Sequence, residues 1–409
     1  MNRFPHIDRR ELLRAGAAFA GWCALPAGAL ASPILGDDRH SLLILQLEGG
    51  NDGLDTVIPY GDDAYHAARP TLARAREDVL ALDDYRGLHP ELTRLRDEYE
   101  AGRLAIVEGV GYPDPIRSHF RSMDVWHAAD RRGRQLPEGW VGRLCAARFA
   151  DRTDPELVVH VGNEVPYSLH SATHPPTSFV RSRSYRWAGD SREVRAYEEA
   201  APAPQAERST EAAGDGTDPL DLVRRALADG QASSDAIRRA TAAYETPVAY
   251  PAGPFGEALR EVAGIANGDV GSRIFSVTLS GFDTHTDEDQ RRRSLLRVLD
   301  EGLGAFLEDQ RRTAVGRELV VMAFSEFGRR LVENGARGTD HGTAAPMLVA
   351  GAAVQGGLYG EHPSLTELED QELRFTVDFR SVYATLVADW FGADAKRVLG
   401  AEYPRLPLV

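Results

Sequence analysis

The sequence predicts an α/β fold in which a doubly wound, mostly parallel sheet is covered by helices on both faces. Short and almost uninterrupted apolar runs recur along the chain, as is typical of strands that are buried on both faces. Segments with helical periodicity lie between several of these runs. Strands that alternate with helices favour a parallel sheet with helices packed on both sides.

Six apolar runs are the predicted strands. The first spans 41–47 and stops at the turn-forming residues EGGNDG. The clearest helix is predicted over 289–312, where Leu296, Leu299 and Leu303 recur at helical spacing among charged residues. The other predicted strands are 104–107, 157–161, 274–279, 319–324 and 347–350.

The N-terminus has the pattern of an export leader. Arg9 and Arg10 lie side by side, and the apolar stretch 15–31 follows and ends in the small-residue triplet Ala-Leu-Ala. This pattern is typical of a twin-arginine signal peptide that is cleaved after residue 31. We therefore expect residues 32–409 to be one large α/β domain in the periplasm or outside the cell. The twin-arginine translocase is the expected partner during export.

The two cysteines bear on the fate of the exported chain. Removal of residues 1–31 would leave Cys145 alone, so no intramolecular disulfide is expected and the domain must be stabilised by its core. A lipid anchor on Cys23 is the alternative fate, but Trp22 precedes it where lipoproteins carry a small residue. The apolar stretch is shorter than the roughly 20 residues of a membrane span, so no stable membrane insertion is expected.

The overall charge excludes some classes of partner. The chain has a formal net charge of −15, which would repel duplex nucleic acid and anionic membranes before contact. We therefore expect no nucleic-acid partner. Hydrophobic residues make up 43% of the chain, which is enough for a large core.

The middle of the chain breaks the alternation of strands and helices. Residues 162–250 are rich in Ser, Arg, Pro, Ala and acidic residues. The part at 201–219 has the Pro, Ala and Gly content of a loop or linker. We expect the region to be either a cap over the functional site or a less regular insertion with weak helices.

Polar side chains concentrate where the predicted strands end. In a doubly wound sheet, ligands bind at the carboxyl ends of the strands. Each cluster alone is typical of a tight turn or a surface loop, but their recurrence at strand ends indicates a shared crevice. The residues concerned are Asn51 and Asp52 after the first strand, Asp283 and His285 after 274–279, Glu326 after 319–324, and Asp340 and His341 shortly afterwards.

These carboxylates and imidazoles are the ligand types that divalent cations prefer. The sequence therefore predicts one or two metal ions at this edge, with zinc expected first and calcium, magnesium or manganese as alternatives. The predicted ligands are Asp52, Asp283, His285, Asp340 and His341, with Glu326 or Asn51 completing the shells.

Ser118 is the candidate nucleophile. It follows the proline-containing segment GYPDPIR and precedes a helical pattern, so it should lie at a helix N-terminus, where backbone amides favour an anion. Arg117 and His119 are predicted as catalytic residues beside it. A serine at this position is also the usual helix N-cap. Farther along the chain, Arg329 has the pattern of an ordinary solvated charge.

Six motifs carry a resemblance to a known family. They are LQLEGGNDGLDTVIPY, GVGYPDPIRSHFRSMDVWH, LSGFDTHT, MAFSEFGRR, GTDHGTAAPM and DFRSVYATL, and they extend from about residue 41 to the C-terminus. On these motifs the sequence resembles the exported bacterial family called domain of unknown function 1501. That family in turn resembles the alkaline phosphatase superfamily, which includes sulfatases and cofactor-independent phosphoglycerate mutases.

The second resemblance implies an alkaline phosphatase-like sheet with two metals around a nucleophile. It matches Asp52 to the bridging ligand and Ser118 to the nucleophile. The later motifs can be placed in two ways. Either Asp340 and His341 match an Asp-His pair on the second metal, or Glu326 takes that aspartate's place and His341 matches a late histidine of the first metal. The second placement is preferred because Glu326 directly follows a strand.

Two departures from the superfamily pattern leave two functions open. Phe327 stands where a histidine is expected, and the spacing from Asp283 to His285 is shorter than in the phosphatases. The first hypothesis is an exported metal-dependent hydrolase that acts on a small anionic ester or on a sulfated or phosphorylated glycan. The second is a non-catalytic envelope binding protein that keeps the fold and at most one metal.

Overall fold

The computed structural model describes residues 39–132, 136–186, 219–268 and 270–409, and for 219–229 it describes the backbone alone. The predicted twin-arginine leader and the alternative lipid anchor on Cys23 lie outside the described residues. The same holds for the predicted linker at 201–219, except for its last residue.

A central nine-stranded sheet organises the described residues, with strand order β13-β5-β12-β9-β1-β8-β6-β7 and with β14 paired to β5. Strand β12 runs antiparallel to both of its neighbours, and the other pairings in this sheet are parallel. The predicted mostly parallel α/β sheet is therefore confirmed. The strands are β1 (Ser41–Glu48), β2 (Val57–Ile58), β3 (Leu80–Ala81), β4 (Gly87–Leu88), β5 (Leu104–Gly111), β6 (Val158–Val161), β7 (Thr177–Phe179), β8 (Ile274–Ser280), β9 (Leu319–Phe324), β10 (Arg329–Glu333), β11 (Thr339–His341), β12 (Ala345–Ala350), β13 (Gly357–Tyr359) and β14 (Val377–Asp378).

Helices connect and cover the strands. None of the helices in the described ranges combines the length and the apolar character that crossing a membrane requires. The α-helices are α1 (Gly53–Thr56), α2 (Asp63–Ala68), α3 (Thr93–Glu100), α4 (His119–Ala128), α5 (Trp140–Arg148), α6 (Pro219–Ala243), α7 (Pro254–Asn267), α8 (Glu288–Gln310), α9 (Phe379–Thr385) and α10 (Ala395–Leu399), and the turn Leu386–Trp390 continues α9 as a π-helix.

The sheet has a hydrophobic core on each face, because successive side chains of a strand point in opposite directions. In β1, Leu42 and Ile44 belong to one core, which also contains residues of α4, α5 and α9. Leu43 and Leu45 belong to the other core, which contains residues of α3, α7 and α8. Both faces are thus covered by helices, as the continuous apolar runs predict.

Several chain segments meet at one edge of the sheet. Strands β1, β5, β8 and β9 all point their carboxyl ends toward this edge, because they run parallel across the sheet. The antiparallel β12 begins there, since its first residue, Ala345, is opposite Val110 near the end of β5. The loops that follow the four strands and the loop that precedes β12 therefore lie close together.

The irregular middle region contributes to the main sheet. Strand β7 extends the sheet beyond β6 in parallel register, with Val159 opposite Thr177. The long helix α6 follows the segment outside the described residues, and its Ile237 belongs to the same core as Leu259 of α7. The region therefore supplies an edge strand, and its residues 163–167 line the cleft described below.

Candidate metal site

Three histidines surround the carboxylate of Asp283 at the carboxyl edge of the sheet. His285 Nε2 and His341 Nε2 lie 2.9 Å and 3.0 Å from Asp283 Oδ1. His119 Nε2 lies 3.5 Å from Asp283 Oδ2. Asp283 and His285 follow β8, His119 begins α4 after β5, and His341 ends β11 just before β12. The topology thus gathers residues that are far apart in the sequence.

Each histidine has an oxygen acceptor on the side away from Asp283. His119 Nδ1 lies 2.7 Å from Glu326 Oε1, and His341 Nδ1 lies 3.0 Å from the carbonyl oxygen of Arg117. His285 Nδ1 faces Asp340 Oδ1 at 3.6 Å. An Nδ1 that donates its proton to such an oxygen leaves the Nε2 lone pair available to a cation. Metal-bound histidines are oriented in this way by their outer partners. In this structure, the Nε2 atoms of His285 and His341 lie within hydrogen-bonding distance of Asp283 Oδ1.

The distances fit a divalent ion. Tetrahedral zinc with bonds of 2.0–2.1 Å to nitrogen places its ligand atoms about 3.3 Å apart. His285 Nε2 and His341 Nε2 are 3.0 Å apart. One ligand atom each from His119, Asp283 and His341 falls within a group no wider than 4.8 Å. His119 Nε2 is buried and has no hydrogen-bond partner in the described part of the chain.

Arg329 is the residue at this site that the sequence pattern does not reveal. Its side chain is fully buried, and one guanidinium nitrogen donates to Asp283 Oδ1 at 2.9 Å. Its Nε donates to the carbonyl oxygen of Gly50 at 2.7 Å, so the group bridges two strand-end loops. The expectation of a solvated charge is wrong here, because the backbone carbonyls at the sheet edge supply the acceptors that water would otherwise provide.

The ionisation of Asp283 and His119 follows from these contacts. Burial raises the pKa of Asp283, but the hydrogen bond from His341 and the charge of Arg329 outweigh it and hold the pKa well below its usual range. The hydrogen bond between His119 and Glu326 raises the pKa of that histidine. Asp283 is therefore an anion at neutral pH, as a metal ligand has to be.

Glu326 contacts the side of His119 that faces away from Asp283. Its side chain is fully buried, and Oε1 accepts hydrogen bonds from the backbone N–H of Gly49 at 2.9 Å and from His119. Ser325 Oγ lies 3.3 Å from the other carboxylate oxygen. The structure thus places Glu326 where it orients a candidate ligand, in contrast to the predicted direct contact with a metal.

We expect the substitution Glu326→Gln to weaken metal binding by about 10- to 100-fold, the usual cost of losing the partner of a metal-bound histidine. The amide removes the negative charge that holds the Nδ1 proton of His119. Affinity for zinc can be measured by competition with a chromophoric chelator. Glu367→Gln, at an exposed position, is the matched control and should bind zinc like the unaltered protein. Equal affinities in the two variants would contradict this role.

Asp52 lies in a buried network of ion pairs. Arg69 donates to Asp52 Oδ2 at 2.6 Å and to Oδ1 at 3.1 Å, and Arg292 also donates to Oδ2. Burial raises the pKa of Asp52, but the charges of Arg69 and Arg292 outweigh it and bring the pKa to about 2. The carboxylate also caps α1 through the N–H of Leu54. With these partners, Asp52 stays outside the cluster that surrounds Asp283.

The sequence contains a signal for this network. Arg292 shares the helical spacing of Leu296, Leu299 and Leu303, so it falls on the apolar face of α8. A charge on a buried helix face requires a buried partner of opposite sign. No comparable signal indicates that this partner is Asp52, because the pairing spans 240 positions.

The other predicted residues occupy different positions around the cluster. Asn51 is buried and its amide donates to Thr56 Oγ1 at 2.9 Å, away from the histidines. Ser118 is exposed at the N-cap of α4, and its side chain makes no capping hydrogen bond. Its neighbour Arg117 contributes the carbonyl group that orients His341 and forms an ion pair with Glu372.

Phe327 fills the space beside the cluster. Its ring centroid lies 4.9 Å from that of His119 and 4.7 Å from that of His341. A side chain at Gly50 would collide with the ring, since an added Cβ would lie 2.4 Å from it. The position that the superfamily pattern assigns to a histidine is thus apolar and supplies no ligand.

A cleft of about 810 Å³ opens from the cluster along the sheet edge. His119, Asp283 and Glu326 form its inner end, and the segments 160–167 and 254–261 form its walls. Phe120 follows His119 and lines the cleft, and Ser118 is not among the lining residues. The site therefore combines a cluster of metal-ligand side chains with a space large enough for an organic ligand.

The fold and the cluster define an α/β protein with a candidate metal site at the carboxyl edge of its sheet. The chain belongs to the family described as protein of unknown function DUF1501, whose model matches residues 98–400. The family predicted from the motifs is thus confirmed. The comparison with curated proteins gives no match.

The solved structures that are similar to this chain include a member of the alkaline phosphatase superfamily, a sulfatase and a phosphonate monoester hydrolase. A protein in the alkaline phosphatase superfamily from Vibrio parahaemolyticus is 10% identical with a TM-score of 0.40, and the match covers 97% of this chain and 78% of that one. A 2-O GAG sulfatase is 10% identical with a TM-score of 0.34, covering 89% and 75%. The phosphonate monoester hydrolase of Silicibacter pomeroyi is 10% identical with a TM-score of 0.31, covering 88% and 77%.

Proposed function

We propose that the protein is an exported, metal-dependent hydrolase of phosphate or sulfate monoesters. The observation that carries the proposal is the convergence of three inward-facing histidine nitrogens on the ionised Asp283. The ligand atoms of His119, Asp283 and His341 lie close enough to share a divalent cation, and His285 contacts the same carboxylate. His119 and Asp283 also line a cleft of suitable size. The motif resemblance to a superfamily of ester hydrolases points to the same class of reaction.

His119, Asp283, His285 and His341 would hold the ion. A bound divalent cation supplies electrostatic stabilisation for the negative charge that develops on the ester oxygens. Zinc is the ion we favour, because three imidazoles and one carboxylate are ligands typical of zinc. Asp340 and Glu326 would keep His285 and His119 in the orientation described above.

Ser118 would be the nucleophile. It precedes the first turn of the ten-residue helix α4, where unpaired backbone N–H groups favour an anionic ester. Its oxygen would form a bond to phosphorus or sulfur while the bond to the alcohol oxygen breaks, and the serine proton would leave with the alcohol. Water would then hydrolyse the serine ester, which releases phosphate or sulfate and restores the hydroxyl group. Arg117 beside it would offset the charge of the substrate.

The purified chain without residues 1–31 should contain about one equivalent of metal, and it should hydrolyse 4-nitrophenyl phosphate or 4-nitrophenyl sulfate. Chelation should abolish this turnover, and added zinc should restore it. We expect Ser118→Ala to lower kcat by at least about 100-fold with metal content unchanged, because the covalent step requires the hydroxyl group. Ser294→Ala, an exposed serine on α8, is the control and should keep full activity. Equal turnover in both variants would remove Ser118 from the mechanism.

A non-catalytic metal-binding protein is the second candidate. It is favoured by the partners of Asp52 and by the apolar Phe327, because these leave the described residues with a single cluster where the superfamily pattern has two metals. Metal stoichiometry and turnover separate the two candidates. One tightly held ion without hydrolysis of either ester would support the binding protein and overturn the hydrolase.

A further inference from the structure

The outer part of the cleft is acidic. Beyond the cluster, the described residues of its walls carry five carboxylates and one guanidinium group. The carboxylates belong to Glu48, Asp124, Glu164, Glu257 and Glu261, and the guanidinium to Arg181. Arg181 forms an ion pair with Glu257, so it offsets one of the acids. The exposed Glu48 and Glu164 form no ion pair with any residue of the described ranges. Negative charges therefore predominate among the described residues of this part of the cleft.

The cleft also exposes apolar side chains. Phe120 is 86% exposed and Val180 is 54% exposed, and both line the cleft. Phe120 directly follows His119, and both residues line the cleft. A ligand that covers so exposed a phenylalanine ring removes apolar surface from water, which favours binding. Val332 is as exposed as Val180 but lies on β10 outside the cleft, so it can serve as a control for substitutions in the cleft.

The floor of the cleft is polar but uncharged. His127 and His160 are buried there, and desolvation lowers the pKa of each to about 4. His127 Nε2 lies 3.2 Å from the side-chain oxygen of Gln46. Neither ring nitrogen of His160 has a hydrogen-bond partner in the described part of the chain. Backbone groups of Ser276 and Glu164 lie nearby and raise its pKa slightly, which offsets only part of the effect of burial. These neutral imidazoles do not offset the negative charge of the walls.

We propose that this cleft binds the alcohol portion of the substrate and selects an apolar alcohol without negative charge. This inference rests on the proposed function, because it takes the cluster as the site of the single anionic ester group. Phe120 and Val180 would contact the alcohol, and the neutral His160 would accept or donate a hydrogen bond at the floor. The carboxylates of the walls would repel a second anionic group, which disfavours polysulfated or polyphosphorylated glycans.

Binding of the free alcohol tests the proposal without requiring turnover. The probes are 2-naphthol and its 6,8-disulfonate, titrated against the chain without residues 1–31 by isothermal calorimetry at low and high salt. At low salt we expect the disulfonate to bind at least about tenfold more weakly, because like charges meet across a cleft of low dielectric. Salt should narrow this difference in affinity. The double substitution Glu48→Gln and Glu164→Gln should narrow it by about twofold for each carboxylate removed.

Phe120→Ala should weaken naphthol binding by about five- to tenfold, the contribution of one aromatic contact. The matched control is Val332→Ala, which should leave the affinity unchanged. Equal or tighter binding of the disulfonate would overturn the proposal, as would the same affinity in both variants. If naphthol binds as expected but no ester is hydrolysed, the assignment of the cleft stands and the hydrolase proposal fails. If an ester is hydrolysed but naphthol and its disulfonate bind equally well, the hydrolase proposal stands and the assignment of the cleft fails.

Discussion

Replacing Asp283 with asparagine is expected to lower the affinity for zinc by at least about 100-fold, more than the loss of an outer partner costs. The carboxylate is the one anion among the four candidate ligands, and both of its oxygens face histidine nitrogens. An amide would lose that charge and could turn an N–H toward His119. Competition with a chromophoric chelator measures the affinity, and hydrolysis of 4-nitrophenyl esters should fall with it.

Asp287→Asn is the matched control for this change. Asp287 lies in the same loop, is exposed, and forms a surface ion pair with Arg337. Its backbone has a left-handed conformation that asparagine also adopts, so the fold should be unaffected. If both variants bind zinc equally well, Asp283 is not a ligand and the hydrolase proposal loses the observation that carries it.

The substitution Arg292→Met should lower the free energy of unfolding by about 3–5 kcal/mol, the usual cost of removing one partner from a buried ion pair. Arg292 lies within hydrogen-bonding distance of Asp52, 3.2 Å from Asp55 Oδ2 and 3.0 Å from Glu288 Oε1. Arg69 and Arg74 would remain to offset three buried carboxylates. Denaturant unfolding of the chain without residues 1–31 measures the change.

Arg293→Met separates burial from the loss of a charge. Arg293 is the next residue of α8 and pairs with Asp289 one turn earlier at 3.0 Å, but both side chains are about half exposed. A surface pair of this kind contributes about 0.3–0.5 kcal/mol. A similar loss of stability in the two variants would show that the buried network does not contribute more than a surface pair.

The buried network also supports the candidate metal site. Glu288 pairs with Arg292, and its other carboxylate oxygen accepts hydrogen bonds from Thr284 at 3.0 Å and Thr339 at 3.1 Å. Thr284 lies between Asp283 and His285, and Thr339 lies two residues before His341. We therefore infer that the ion pairs around Asp52 fix the two loops that carry the cluster, so Arg292→Met should also reduce zinc affinity.

Much of the architecture could be predicted because it depends on local pattern. The apolar runs correspond to β1, β5, β6, β8, β9 and β12, and the periodic segment at 289–312 corresponds to α8. The antiparallel direction of β12 could not be predicted from its apolar run, because strands buried on both faces have the same composition in either direction. Strand β7 lies in the polar middle region and is only three residues long, so it gives no periodic signal.

The candidate site could be predicted in part. Placement at strand ends was enough to bring Asp283 and His285 to the edge that the carboxyl ends of the parallel strands share. His341 ends β11 of a separate antiparallel pair and lies in the segment that leads into β12. The same rule could not distinguish the residues that face the cluster from those beside it. Asp52 and Glu326 follow central strands too, yet one is held by Arg69 and the other orients His119.

The sequence by itself determined the α/β sheet, its two apolar faces, the family, and the edge at which polar residues collect. The tertiary structure alone decided which of these residues share a site. Hydrophobic periodicity specifies which face of an element is buried, and it does so within a few residues. The partner of a charged side chain depends on contacts between distant segments, such as Asp52 with Arg292, and on the direction in which each loop leaves the sheet.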